Sequence, residues 1–188
     1  MARTKEFDIE QALDAAIDVF RQHGYAGTSA GMLVDAMRIG RQSMYDTFGD
    51  KWQLYCAAVA RYSEAERQAH SAALNRGSNA IDGLSAMIGR VVDEARRPCL
   101  GVSSVSEFGR SAKELSRLCD NIGKDLHNAV KAKIQQAQAQ GDIPANLDPD
   151  EGAGFLMANV AAIRLSARGG AKDAALASLG RFALKALQ

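Results

Sequence analysis

An all-α fold is what the 188 residues predict, and three observations predict it. Apolar residues recur at intervals of three and four along most of the chain, alanine and other strong helix formers are abundant, and only Pro98, Pro144 and Pro149 interrupt it. Two short helical stretches, joined by a turn and preceded by a longer helix, give way to long alanine-rich helices. That change of texture divides the chain into a small three-helix head, residues 1–50, and a larger helical body, residues 51–188.

Each element has its own signals. Asp8 caps the first helix with Gln11 three residues on, Phe7 precedes as a hydrophobic staple, and Ile9, Leu13, Ala16, Ile17 and Phe20 follow at helical spacing until Gly24. Thr28 and Ser29 open a second helix that reaches Met37. Arg38 to Gly40 make a tight connection to a third, Arg41 to Phe48. A fourth starts at Asp50, again with Gln53 three residues on, and runs through Leu54, Ala57, Ala58, Tyr62 and Ala65 to about Asn75. In the body the pattern predicts helices at 79–97, 99–109, 111–140, 149–168 and 171–187, with "QGDIPANLDPD" as the break before the last two.

Composition excludes more than it selects. The formal net charge is +1, and residues 1–51 carry six basic against eight acidic side chains, so any contact with DNA must come from placed cations and not from a basic segment. Cys56, Cys99 and Cys119 form no Cys-x-x-Cys pair, and an odd count argues against a disulfide framework. "MARTKEFD" lacks an apolar signal core and "FLMANVAAI" is far too short to cross a bilayer; the expectation is a cytoplasmic protein with no membrane partner. No Gly-rich phosphate loop, Ser/His/Asp or paired-carboxylate constellation, or zinc signature is present, and His70 and His127 are isolated, so neither an enzyme nor a metal or cofactor protein is expected.

A long helix followed by two short ones across a tight turn is the sequence form of a helix-turn-helix, whose last helix enters the major groove. Ile39, Met44 and Phe48 would face the small core and leave Arg41, Gln42, Ser43, Tyr45 and Asp46 outward. Arg pairs bidentately with guanine, Gln with adenine, and hydroxyls serve phosphates or base edges. Lys51, in the first turn of the fourth helix, and Thr28 and Ser29, at the start of the second, stand where free backbone N–H groups and the helix dipole favour a phosphate. The competing reading is a dimeric helical adaptor that uses the same helices to bind protein.

From Gly24 to Leu54, "GYAGTSAGMLVDAMRIGRQSMYDTFGDKWQL" resembles the DNA-binding region of the TetR family of bacterial transcriptional regulators. Gly24, Tyr25, Thr28 and Ser29 match the opening of its pattern, and Met44, Tyr45, Phe48, Lys51 and Leu54 match its ending. The resemblance implies a homodimeric regulator, most often a repressor released from a palindromic operator by an effector. It also implies phosphate contacts from Thr28 and Lys51, Tyr45 against the DNA backbone, base or phosphate contacts from Arg41, Gln42, Ser43 and Asp46, and an N-terminal arm carrying Arg3 and Lys5. Two positions depart from the pattern. Arg38 replaces a turn glycine, as a strained turn or an extra phosphate clamp, and Gly40 replaces a capping serine.

For the body, the resemblance implies that the last two helices pair with their copies, with Phe155, Val160, Ile163, Leu176, Leu179 and Phe182 on the pairing face; the alternative is that these faces close the protomer's own core. "RRPCLGVSSVSEFG" resembles a Cys-Leu segment of one branch of the family, some of whose members sense electrophiles or oxidants. Cys99 follows Pro98 at a helix start beside Arg96 and Arg97, which favours its thiolate, with Cys119 a possible partner; the alternative is a small buried apolar residue, the role expected of Cys56. Met87, Val91, Cys99, Val102, Phe108, Leu126 and Met157 are candidate lining for the pocket of a small-molecule or electrophile effector, with core packing as the alternative.

Overall fold

The structure is a computed structural model and describes residues 7–188. Among the described residues the chain forms nine helices and no strand: α1 (Ile9–His23), α2 (Ala30–Met37), α3 (Arg41–Phe48), α4 (Lys51–Leu74), α5 (Ala80–Asp93), α6 (Leu100–Phe108), α7 (Lys113–Gln140), α8 (Pro149–Arg168) and α9 (Asp173–Lys185). The all-α expectation holds, and the body helices begin and end close to where periodicity and turn residues put them. The largest difference is at the end of α5. Glu94 donates its N–H to Arg90, and the chain then tightens through Ala95 to Val92 and Arg97 to Glu94 bonds. Pro98 accounts for the exclusion of Arg97 from the helix, since its ring disfavours helical backbone in the residue before it.

The helices divide into two compact units, each with its own core. One comprises the chain up to Ser63 together with Cys99–Cys119, and so adds α6 and the start of α7 to the head. Phe20, Leu33, Met44, Leu54, Tyr55, Val59 and Leu100 are its most enclosed side chains. Removing a large apolar side chain of this kind from water contributes about 2–3 kcal/mol, which is why short helices such as α2 and α3, marginal alone, persist here. An aromatic cluster completes the core: Phe20 meets Tyr55 edge-on at 4.9 Å, and Tyr25, Trp52 and Phe108 contact one another at 5.2–5.6 Å.

The other unit is Glu64–Pro98 with Asp120–Gln188. Leu84, Met87, Ile88, Val130, Ile134 and Leu156 fill one cluster; Val91, Ala95, Ile163, Ala167 and Leu176 fill a second. Two glycines permit its closest helix approaches. A Cβ at Gly83 would lie 2.1 Å from the Leu74 carbonyl oxygen, and one at Gly180 2.9 Å from Val92 Cγ2, so α4, α5 and α9 meet at distances that a larger residue forbids. No described helix is long and apolar enough to cross a membrane.

Candidate nucleic-acid interface

The interface is built on α2, its turn and α3. Ser29 caps α2 by accepting the Met32 N–H at 3.2 Å, while Leu33 and Met37 anchor the helix in the core. Arg38 then takes the left-handed conformation, φ 54° and ψ 39°, the sole non-glycine with positive φ among the described residues. That conformation costs roughly 1–2 kcal/mol for a residue with a Cβ. The strained turn is therefore real, and the exposed guanidinium stays available to a phosphate. Gly40 caps α3 with no side-chain hydrogen bond.

The faces of α3 separate as the periodicity predicts. Met44 is 1% exposed and Ile39 9%, Phe48 is half-buried, and Arg41, Gln42, Ser43, Tyr45 and Asp46 are exposed. Two of the outward residues engage each other: Gln42 Nε2 donates to Asp46 Oδ1 at 2.7 Å, which fixes the amide and leaves its carbonyl oxygen outward as an acceptor.

Around this helix the expected phosphate contacts are less alike than their sequence positions suggest. Asp50 and Gln53 form a reciprocal capping box, 2.8 and 3.0 Å, that starts α4. Lys51 Nζ donates to the Tyr25 carbonyl at 2.6 Å and lies 4.3 Å from the centre of the Tyr25 ring, keeping further N–H donors for an anion. Thr28 is buried and its hydroxyl donates to the Gly24 carbonyl at 2.5 Å, so the exposed hydroxyl at this corner belongs to Ser29. Arg3 and Lys5 lie outside the described residues. The acidity of the segment is partly neutralised from beyond it, because Arg61 pairs with Glu10 and, at 2.6 Å, with Asp14, and its hydrogen bond holds the Asp14 carboxyl below the usual range.

Sequence reasoning missed Glu107. Its carboxylate accepts the N–H groups of Tyr25 at 3.0 Å and Ala26 at 2.7 Å, which secures the turn before α2 from α6. The Tyr25 residue is thus held at its N–H by Glu107 and at its carbonyl by Lys51. Beside it the Tyr55 hydroxyl pairs with Ser104 at 2.9 Å, and burial, partly offset by that hydrogen bond, pushes the Tyr55 phenol up to about 12. Nothing in the local sequence marks Glu107, since the contact spans more than eighty positions. Glu107→Ala is expected to lower unfolding free energy by about 1–2 kcal/mol, the range for charge-assisted hydrogen bonds, and to speed amide exchange selectively at Tyr25 and Ala26. Exchange unchanged at those two amides counts against this role.

The body candidates separate. Cys99 and Phe108 pack on the core of the head-containing unit, Met87, Leu126 and Met157 on one cluster of the other unit, and Val91 on its second; these six are spread over three cores instead of gathering around one cavity. Core packing explains their apolar character. Val102 is half-buried, and Cys99 caps α6 without a side-chain hydrogen bond. Arg96 is engaged by Asp173 at 2.6 Å and by the Ala171 carbonyl. None of the three cysteines is in a disulfide, and burial, reinforced by Glu114, Asp50 and Cys119, pushes the Cys56 thiol up to about 11, in keeping with a packing role.

The pairing face also needs correction. Ile163 at 0% and Leu176 at 2% exposure lie in the protomer's own core, because the α8 and α9 residues that face α5 are apolar too. Val160 and Leu179 are half-buried, whereas Phe155, Phe182 and, unanticipated, Leu165 stand exposed at 44%, 67% and 48%. Among the described residues, no group of three or more His, Cys, Asp or Glu is placed to hold a metal.

Comparison with known proteins agrees with this geometry. Residues 12–58 match the bacterial regulatory proteins of the tetR family, and residues 79–182 match the tetracyclin repressor-like C-terminal domain. The chain is 32% identical over 148 residues to the HTH-type transcriptional regulator YezE of Bacillus subtilis, covering 76% of each, and 27% identical over 175 residues to the HTH-type transcriptional repressor ComR of Escherichia coli, covering 90% of this chain and 83% of ComR. A cysteine-substituted form of the TetR family regulator CifR, solved with 26 bp operator DNA, superposes with a TM-score of 0.86 at 25% identity over 99% of this chain and 100% of CifR. With its N-terminal helix-turn-helix and its C-terminal domain both matched, the chain belongs to the TetR family of bacterial transcriptional regulators.

Proposed function

We propose that the protein is a homodimeric repressor that binds a palindromic operator and leaves it when an effector occupies the body. The observation that carries the reading is the division of α3: Met44 buried, five polar or amphipathic residues outward, and Lys51 beside them at the start of α4. Arg41, Gln42, Ser43, Tyr45 and Asp46 would meet bases or nearby phosphates; Ser29, Lys51 and Arg38 would meet phosphates, with Thr28 shaping the corner. Solved operator complexes of CifR and the repressor ComR support DNA binding and repression as the direction of control. Exposed Phe155, Leu165 and Phe182 supply an apolar surface for a two-fold partner, and a head with one short reading helix needs a second copy to span half-sites one helical turn apart.

A mobility-shift titration with the DNA flanking the gene tests this. Lys51→Ala should weaken binding several-fold on every sequence and reduce the salt dependence, whereas Gln42→Ala should relax preference at particular base pairs by about 1–3 kcal/mol. No sequence-selective shift at moderate salt would leave the protein-binding adaptor as the better reading.

A further inference from the structure

The centre of the outward face of α3 is occupied by an acid. Counting roughly 100° of helix per residue, Gln42 and Asp46 straddle the direction opposite Met44, the buried residue of α3, with Ser43 and Tyr45 on their flanks. Both members of the pair are exposed. A carboxylate on a surface that meets a polyanion opposes binding to every duplex alike, and it can take no part in a phosphate contact. Its place on the reading face calls for a gain of another kind.

The gain lies in what the pair presents to bases. An ionised carboxylate only accepts hydrogen bonds, so the Gln42 amide has to turn its nitrogen toward Asp46, and Nε2 donates to Oδ1 at 2.7 Å. The row then offers Gln42 Oε1 and Asp46 Oδ2 as acceptors against one remaining amide hydrogen, and it carries a negative charge. Major-groove edges meet such a surface differently. Guanine shows two acceptors and thymine an acceptor beside a methyl group, so neither supplies the donor that the row needs. Adenine shows an amine next to its N7 acceptor, which the carboxylate repels. Cytosine shows the amine alone.

We propose that Asp46 is a specificity-determining residue for cytosine: with the Gln42 amide that it holds, it accepts the N4 amine of one cytosine in each half-site, and its charge rejects bases that present acceptors there. This rests on the operator-binding reading and names one base of the operator. Asp46 gives up affinity for DNA in general and gains selectivity. Its removal therefore moves the two in opposite directions, which the loss of a residue that only steadies α3 would not do.

Selection of duplexes from a randomised pool by the full chain, followed by mobility-shift titration of single-pair variants of the selected duplex and of a duplex of unrelated sequence, tests it. The parent should favour cytosine at one position of each half-site over the other bases by about fivefold or more. Asp46→Ala frees the Gln42 amide for its two-point contact with adenine, and Asp46→Asn keeps a carbonyl acceptor for that amide without the charge. Both variants should bind the unrelated duplex at least as tightly as the parent and lose the cytosine preference in favour of adenine. The same base chosen by the parent and Asp46→Ala at every position overturns the proposal. So does a parent that takes a base other than cytosine where Asp46→Ala changes the choice, or an Asp46→Ala variant that loses affinity for the selected and the unrelated duplex by the same factor. A parent that selects no sequence overturns the operator-binding reading and the cytosine contact with it; selection that does not depend on Asp46 overturns the cytosine contact alone.

Discussion

Glu66→Ala will lower the free energy of unfolding by about 3–5 kcal/mol, the largest loss expected from any single charged residue in the protein. Glu66 is the common acceptor for Arg90 and Arg164, at 2.8 Å to each. Without it Arg90 keeps Glu94, but Arg164, 5% exposed, keeps no partner among the described residues. The cost is that of an uncompensated buried cation and not the net worth of the ion pair, which desolvation makes small. The double variant Glu66→Leu, Arg164→Met should therefore be more stable than Glu66→Ala alone. Urea denaturation of the parent, Glu66→Ala, the single variants Glu66→Leu and Arg164→Met, and the double variant decides it: a double variant as unstable as the sum of its two single losses would show that the charges themselves hold α4, α5 and α8 together.

Mild acid should destabilise the protein through His70. Burial, then Arg90, against an opposing pull from Glu66, lowers the His70 pKa from 6.5 to about 4. The folded value is below the unfolded one, so the neutral ring's contribution is fully present above pH 6.5 and is lost as pH falls from there through about 4. The loss approaches about 3 kcal/mol across that window. Glu66 adds a second step. Its burial raises its pKa, but hydrogen bonding to Arg90 and the charges of Arg164, Arg90 and His70 outweigh that and hold it below its ordinary value, so its contribution disappears only below the usual carboxylate range. Melting temperature measured from pH 7.5 to 4.5 should fall with a slope that His70→Gln removes; equal slopes in both proteins rule out His70 as the cause.

What was legible in the sequence is what local chemistry determines. Asp8 with Gln11 and Asp50 with Gln53 announce helix starts because a capping side chain acts within three residues. The inward and outward faces of α3 follow from the spacing of Ile39, Met44 and Phe48, and the family pattern supplied its neighbours. The misses are all long-range. His70 looked isolated because Arg90, whose guanidinium lies beside its ring, arrives from another helix, as does Arg164, which binds His70's own-helix neighbour Glu66. Ile163 and Leu176 looked available for a partner because periodicity says a side is apolar without saying what covers it, and α8 and α9 carry more than one apolar side. Glu107 had no motif at all, since its partners are backbone amides that every residue but proline offers.

The contribution of α6 to the head-containing unit also sets an order of events during synthesis. Tyr25, Trp52 and Tyr55 leave the ribosome well before Phe108, the ring that completes their cluster, and Glu107, which receives the Tyr25 and Ala26 amides. Between them the chain must emit all of α5, which belongs to the other unit. The helix-turn-helix is thus first in the message but not finished when it emerges: a nascent chain halted before α6 carries α2 and α3 behind a turn that still lacks its last ring and its carboxylate.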